Sequence, residues 1–355
     1  MIKETEIYNF KSIQELKMEC SNLNLLIGIN SAGKSTICQA LLLLGQNITE
    51  QSGLNGSLIK LGTLEENCCR YLANREICVC VKTDQGESVK EMIQLNRETK
   101  LWDIKTEYSQ SGREVFESLF DYRRRNLQYL SCHRIGPQNL YEENMDINEQ
   151  LGTDGRYAIS FLNKHGDNLM EQDMCRGNAD FTLLGQVNWW LNYITQTQIS
   201  TEPIAGADAV RAYYKMNEVP NIRPANVGSG ISYLISILVM CMASTKGSIL
   251  IIENPEIHLH PSAQAKVCEL LYFLSQKERQ IFVETHSDHI FNGFRAGIAT
   301  KEMDAEKINV QFIYMNDENA TEAMRVAIGK YGTVENQREN LFDQFDLDLN
   351  KMIGL

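Results

Sequence analysis

Polar and apolar residues alternate at the start of the chain, with Ile7 and Phe10 in one run and Leu23, Leu25 and Ile27 in another. This predicts two or three strands before residue 28. A glycine-containing turn follows, and the apolar run at 36–44 predicts a helix. From about 54 to 101, short strand-like runs such as 77–81 alternate with polar turns, the pattern of an antiparallel sheet. The pattern turns helical from about Arg113, and 127–131 predicts another strand. Residues 139–225 are polar and irregular, apart from an aromatic patch at Val187, Trp189, Trp190 and Leu191 that reads as core. From Gly228 onward the prediction is a helix to about 244, a strand at 249–252, a helix at 262–276 and a strand at 280–284. Such alternation of strand and helix is the signature of an α/β sheet. The sequence has no internal repeat, no low-complexity tract and no heptad pattern long enough for a coiled coil.

Composition narrows the class. The 355 residues are 43% hydrophobic and 23% charged with six prolines, so the chain is expected to pack a globular core. A formal net charge of -12 argues against whole-surface attraction to nucleic acid, though a local basic patch stays open. The tightest basic run, Arg123, Arg124 and Arg125, reads as a solvated surface. Ten cysteines, Cys68 with Cys69 and Cys78 with Cys80 the nearest pairs, include no CxxC and read as reduced thiols of a cytoplasmic protein. The charged N-terminus is unlike a signal peptide, and the longest apolar stretch, 233–243, is about half of the roughly 20 residues that a membrane span needs.

Residues 28–36, GINSAGKST, match G-x-x-x-x-G-K-[ST] between a predicted strand and a predicted helix. Gly28 and Gly33 let the backbone curl so that the N–H groups of Asn30, Ser31, Ala32, Gly33 and Thr36 face phosphate oxygens. Lys34 brings positive charge to the β- and γ-phosphates, and Ser35 offers a hydroxyl to Mg²⁺. The second acid that such a loop needs ends the apolar strand in SILIIENPE, where Glu253 is followed by Asn254, Pro255 and Glu256. Two histidine segments remain, His258 and His260 in IHLHP, and Glu284, His286 and His289 in VETHSDH. They are open to a zinc reading, against which the spacing is not HExxH, and to a γ-phosphate-sensing role for His286.

The segments NFKS, GINSAGKST, NVGSGIS (226–232), ENPEIHLHP and ETHSDH occur in an order that resembles RecF-, SMC- and OLD-like ABC ATPases. The likeness spans the chain, and it is greatest to small bacterial ATPases with an IExPExHLHP motif. Their short C-terminal segment is similar to FDQFDLDLNKMIGL here. The resemblance implies one ABC-type ATPase head over 1–355, a mixed α/β sheet with an antiparallel N-terminal subdomain. Its lobes would be a P-loop lobe (1–138), a helical or irregular insertion (139–225), a lobe with signature, Walker B and histidine switch (226–330) and a tail (331–355). It implies ATP and Mg²⁺ as cofactors, Ser35 and Glu253 as metal ligands, and a homodimer or higher oligomer in which Gly228, Ser229 and Gly230 of one protomer meet the γ-phosphate held by the other.

Two departures from that family bear on turnover. With Pro255 aligned to the proline of D-E-P, Asn254 stands where the catalytic glutamate belongs, and an amide cannot act as the usual general base. Glu256 is the candidate substitute, and the alternative is slow hydrolysis by an ATP-gated clamp. With Gly230 aligned to the invariant glycine of LSGGQ, Gly228 replaces the serine, and the neighbouring Ser229 is the source of a hydroxyl. By analogy the expected function is control of a separate effector, a nuclease in bacterial defence against phage or foreign DNA, since little chain remains after the motifs for a fused nuclease. The alternative is a RecF-like DNA-repair or DNA-end-binding ATPase; a transporter motor fits worse because both altered motifs matter there.

Overall fold

A computed structural model describes every residue except 74, 97, 100, 101, 178, 179, 343, 354 and 355, and the side chains of 344–347 also lie outside the described set. The chain forms two compact units, one of residues 1–113 with 284–355 and one of 114–283.

The first unit opens with strands β1 (Ile2–Phe10) and β2 (Ile13–Glu19); Lys11 in the joining turn and Asn9 near the end of β1 take positive φ. Strand β3 (Leu23–Gly28) leads into helix α1 (Lys34–Glu50). After the short helix α2 (Leu64–Asn67) come β4 (Glu76–Thr83), β5 (Ser88–Leu95) and β6 (Trp102–Tyr108). These build an antiparallel sheet in the order β2-β1-β4-β5-β6, whose core face carries Ile7, Val79, Val81 and Ile93. The sheet matches the expectation for this region, but its strands begin only at 76, and β6 lies past the predicted limit at 101, a residue outside the described set.

Helix α1 also runs further than its apolar stretch. Leu41, Leu42, Leu43 and Leu44 are fully buried, so a Leu-to-Ala change there would cost about 2–5 kcal/mol. The extra turns keep two polar residues buried because each is hydrogen-bonded: Gln46 donates to the Gly53 carbonyl at 2.9 Å, and Asn47 donates to Glu91 at 2.9 Å. Burial pushes the Glu91 carboxyl up to about 8, partly offset by that bond from Asn47.

The second unit begins after the start of α3 (Gly112–Leu119) and contains β7 (Leu127–Leu130), β8 (Tyr141–Glu142), α4 (Ala158–His165) and α5 (Leu183–Thr195). Strands β9 (Thr197–Pro203), β10 (Ala209–Met216) and β11 (Val219–Ile222) follow. The stretch 139–225 is therefore more ordered than its composition implies: β10 pairs antiparallel with β9, β8 and β11. Trp190 of the aromatic patch is core, 1% exposed. Helix α6 (Ser229–Met242), strand β12 (Ile249–Glu253) and helix α7 (Pro261–Ser275) agree closely with the predicted elements, and β12 lies parallel to β7. Strand β13 (Gln280–Glu284) carries the chain back into the first unit.

There α8 (Asp288–Ala299), β14 (Ile308–Met315), β15 (Thr321–Arg325) and α9 (Gln344–Ile353) complete the fold. Strand β14 is parallel to β3 and antiparallel to β15, which makes the sheet mixed. The C-terminal segment singled out in the sequence lies partly outside the described residues. Among the described residues no helix is long and apolar enough to cross a membrane, and the longest has 17 residues.

Candidate functional site

In the first unit, the loop 29–33 is held by its neighbours in a tight curl. Gly28 has φ 141, and a Cβ there would lie 2.0 Å from the Ile313 carbonyl oxygen; Gly33 has φ 106. Only glycine meets both demands at Gly28. The Thr321 hydroxyl donates to the Ala32 carbonyl at 2.9 Å and pins the buried side of the loop. Helix α1 then starts at Lys34 with no side-chain cap and no acidic residue in its first turn, which leaves its N-terminal N–H groups directed at the loop's cradle.

The residues read as phosphate contacts converge in a cleft of about 740 Å³, lined by Asn30, Ser31, Gly33, Lys34, Ser35 and Thr36. Ala32 is buried behind them. The Lys34 ammonium donates to the carbonyls of Gly28 at 2.9 Å and Ile29 at 2.8 Å, holding its charge over the loop. Lys11 and Arg70 add positive charge to the same cleft, which suits a polyanion. The Ser35 hydroxyl, a hard oxygen donor at the head of the helix, fits Mg²⁺ bound with nucleotide phosphates.

His286 and Glu284 reach this cleft from the far end of the sequence. The Ser35 hydroxyl donates to Glu284 Oε1 at 2.7 Å. His286 is exposed at the cleft, and its pKa is lowered first by desolvation and then by the Lys34 charge, so its neutral ring is favoured. Glu284 was visible in the sequence as an acid ending an apolar strand; its partner 249 residues away was not.

In the second unit, β12 delivers Glu253 at its end, 5% exposed, with both carboxylate oxygens engaged. Oε1 accepts from Tyr129 Oη at 3.0 Å and Oε2 from the Cys132 N–H at 3.0 Å. The buried Arg134 donates to the carbonyls of Ser131 at 3.0 Å, Glu253 at 2.5 Å and Asn254 at 2.6 Å, so one guanidinium fixes the turn that carries Glu253, Asn254 and Glu256. Asn254 takes φ 44, a conformation asparagine tolerates better than most residues. Tyr129, Cys132 and Arg134 escaped the sequence reading, because nothing in their spacing marks them as partners of a residue over 100 positions later.

Gly228 caps α6, with Ser229 and Gly230 in its first turn. The helix start meets the His258 loop so closely that a Cβ on Gly230 would lie 2.3 Å from the His258 carbonyl oxygen. The His258 ring lies 4.9 Å from that of Tyr233, while His260 Nδ1 accepts from the Ser262 N–H at 3.3 Å and caps α7. Among the described residues no group of three or more His, Cys, Asp or Glu is placed to hold a metal ion, so zinc finds no support at these histidines.

A family model described as AAA ATPase domain matches residues 1–165 and 190–291. No curated protein matches the chain significantly. Among solved structures, the chain is similar to an SMC head bound to the C-winged helix domain of ScpA, with 12% identity and a TM-score of 0.59 over 93% of this chain and 98% of that one. It is also similar to an SMC head with an extended coiled coil, bound to the C-terminal domain of ScpA derived from Pyrococcus furiosus, with 11% identity and a TM-score of 0.55 over 100% and 99%. At these identities the likeness is one of fold.

Proposed function

The chain belongs to the AAA ATPase domain family, and we propose that it binds ATP with Mg²⁺ at the loop 28–36, dimerises around nucleotide and controls a separate effector protein. The observation that carries this reading is the convergence, in one cleft, of an uncapped helix start, Lys34, the Ser35 hydroxyl and the neutral-favoured ring of His286. Lys34 and the N–H groups of 30–36 bind the phosphates; His286 senses the γ-phosphate as a neutral hydrogen-bonding ring. Ser35 and Glu253 are the metal-directed oxygens, and the metal when bound offsets charge on the phosphates. Gly228, Ser229 and Gly230 meet the γ-phosphate of a second copy.

Hydrolysis is slow in this account. Asn254 cannot take a proton from water, and Glu256 is the carboxylate left to substitute. A protein that closes on ATP and opens slowly is suited to gating a partner. The SMC heads of similar fold were solved with a domain of ScpA, a separate protein, bound to them. A nuclease acting in bacterial defence against phage or foreign DNA is the effector class that the family resemblance favours, and the cytoplasm is the compartment that reduced cysteines suit.

The test is mass in solution together with phosphate release, for the chain alone, with ATP and Mg²⁺, and with added DNA. The account expects ATP-driven assembly and slow turnover indifferent to DNA. Strong stimulation by DNA would overturn the effector-gating reading in favour of DNA binding.

A further inference from the structure

The P-loop serine is engaged by a carboxylate, Glu284, to which the sequence motifs give no role. We propose that Glu284 is a positioning residue for nucleotide-bound Mg²⁺, accepting the hydrogen bond of the Ser35 hydroxyl so that the serine turns its lone pairs to the metal. The inference rests on the reading that ATP and Mg²⁺ bind at this loop.

A serine hydroxyl has one proton and two acceptor lone pairs. It ligates a cation through oxygen only when its proton is directed elsewhere. Here the hydroxyl donates its proton in a hydrogen bond to Glu284 Oε1 at 2.7 Å. Glu284 is 4% exposed, so its carboxylate is little screened, and Lys34 lines the same cleft. Backbone geometry enforces the meeting: Glu284 ends β13, and Ser35 is the second residue of α1. Mg²⁺ also keeps several of its waters when it binds with nucleotide, and their polarised protons need acceptors. A carboxylate beside the serine ligand is such an acceptor.

The test measures affinity for a fluorescent ATP analogue across a Mg²⁺ titration and in EDTA, using the full chain, Ser35→Ala, Glu284→Gln, Glu284→Asp and the Ser35→Ala/Glu284→Gln double variant. Loss of an outer-shell partner typically weakens metal affinity about 10- to 100-fold. The expected result is a loss of that order in the Mg²⁺ response of Glu284→Gln, with affinity in EDTA unchanged. The double variant should be no weaker than Ser35→Ala alone, because the two residues act as one unit. Glu284→Asp should keep part of the response, and it carries the test if the glutamine variant does not fold. A parent-like Mg²⁺ response in Glu284→Gln or in Glu284→Asp overturns the proposal, as does additivity in the double variant. If the parent itself fails to bind the analogue, the nucleotide reading fails and takes this inference with it.

Discussion

Removing Arg134 probes the turn that carries Glu253. Its side chain is 4% exposed and donates to three carbonyls, those of Ser131, Glu253 and Asn254. Arg134→Ala deletes all three hydrogen bonds, and each acceptor left dry costs about 1–3 kcal/mol. Two of the three bonds are only partly buried, so water can replace some of what is lost, and the low end of that range applies. The estimate is about 3 kcal/mol. For a cooperative unit the size of 114–283, each kcal/mol shifts the melting midpoint by about 2–4 °C, which gives a fall of about 6–12 °C. Thermal unfolding followed by circular dichroism measures it. Arg134→Lys should lie between parent and alanine, since one ammonium cannot match the planar fork that spans three acceptors. An alanine variant melting within 2 °C of the parent, a window about a third of the smallest predicted shift, would refute the reasoning.

Three further outcomes are expected. Gly230→Ala places a Cβ 2.3 Å from the His258 carbonyl oxygen and displaces the start of α6, so ATP-driven assembly should weaken while ATP binding to the monomer persists; light scattering against calorimetry separates the two. Because the folded-state pKa of His286 is lowered, the unfolded chain takes up the proton first as pH falls, and stability should drop below about 6.5. His286→Gln should flatten that dependence in melts at pH 5.5 and 7.5. Glu91 behaves oppositely to an ordinary surface acid: with its carboxyl held up to about 8, the folded state retains a proton that the unfolded chain has lost, so stability falls as pH rises from about 4.5 towards 8. Glu91→Gln should therefore raise the melting midpoint more at pH 8 than at pH 5.

How much could be read in advance depended on how local the physical cause was. The phosphate loop was legible because its demands are local: Gly28 for a backbone that admits no Cβ, Lys34 for charge, Ser35 for a hydroxyl at a helix start. The strands ending at Glu253 and Glu284 were legible because burial on both faces leaves an unbroken apolar run. Helix α1 was read short, since Gln46 and Asn47 are buried by hydrogen bonds to groups elsewhere in the chain, which hydrophobicity does not encode. In 139–225 the strands carry polar residues such as Gln198 and Ser200 and turn at Asn217 and Glu218 with positive φ, so neither alternation nor glycine marked them. The bonds from Ser35 to Glu284 and from Arg134 to the Glu253 turn join residues over 100 positions apart, and no spacing rule reports them.

The central claim is tested most directly by titrating ATP with Mg²⁺ into the parent and Lys34→Ala by isothermal calorimetry. The account predicts saturable binding to the parent and none to the variant, which should still be folded by circular dichroism although it loses the two bonds from Lys34 to the Gly28 and Ile29 carbonyls. Equal binding by both proteins would contradict it.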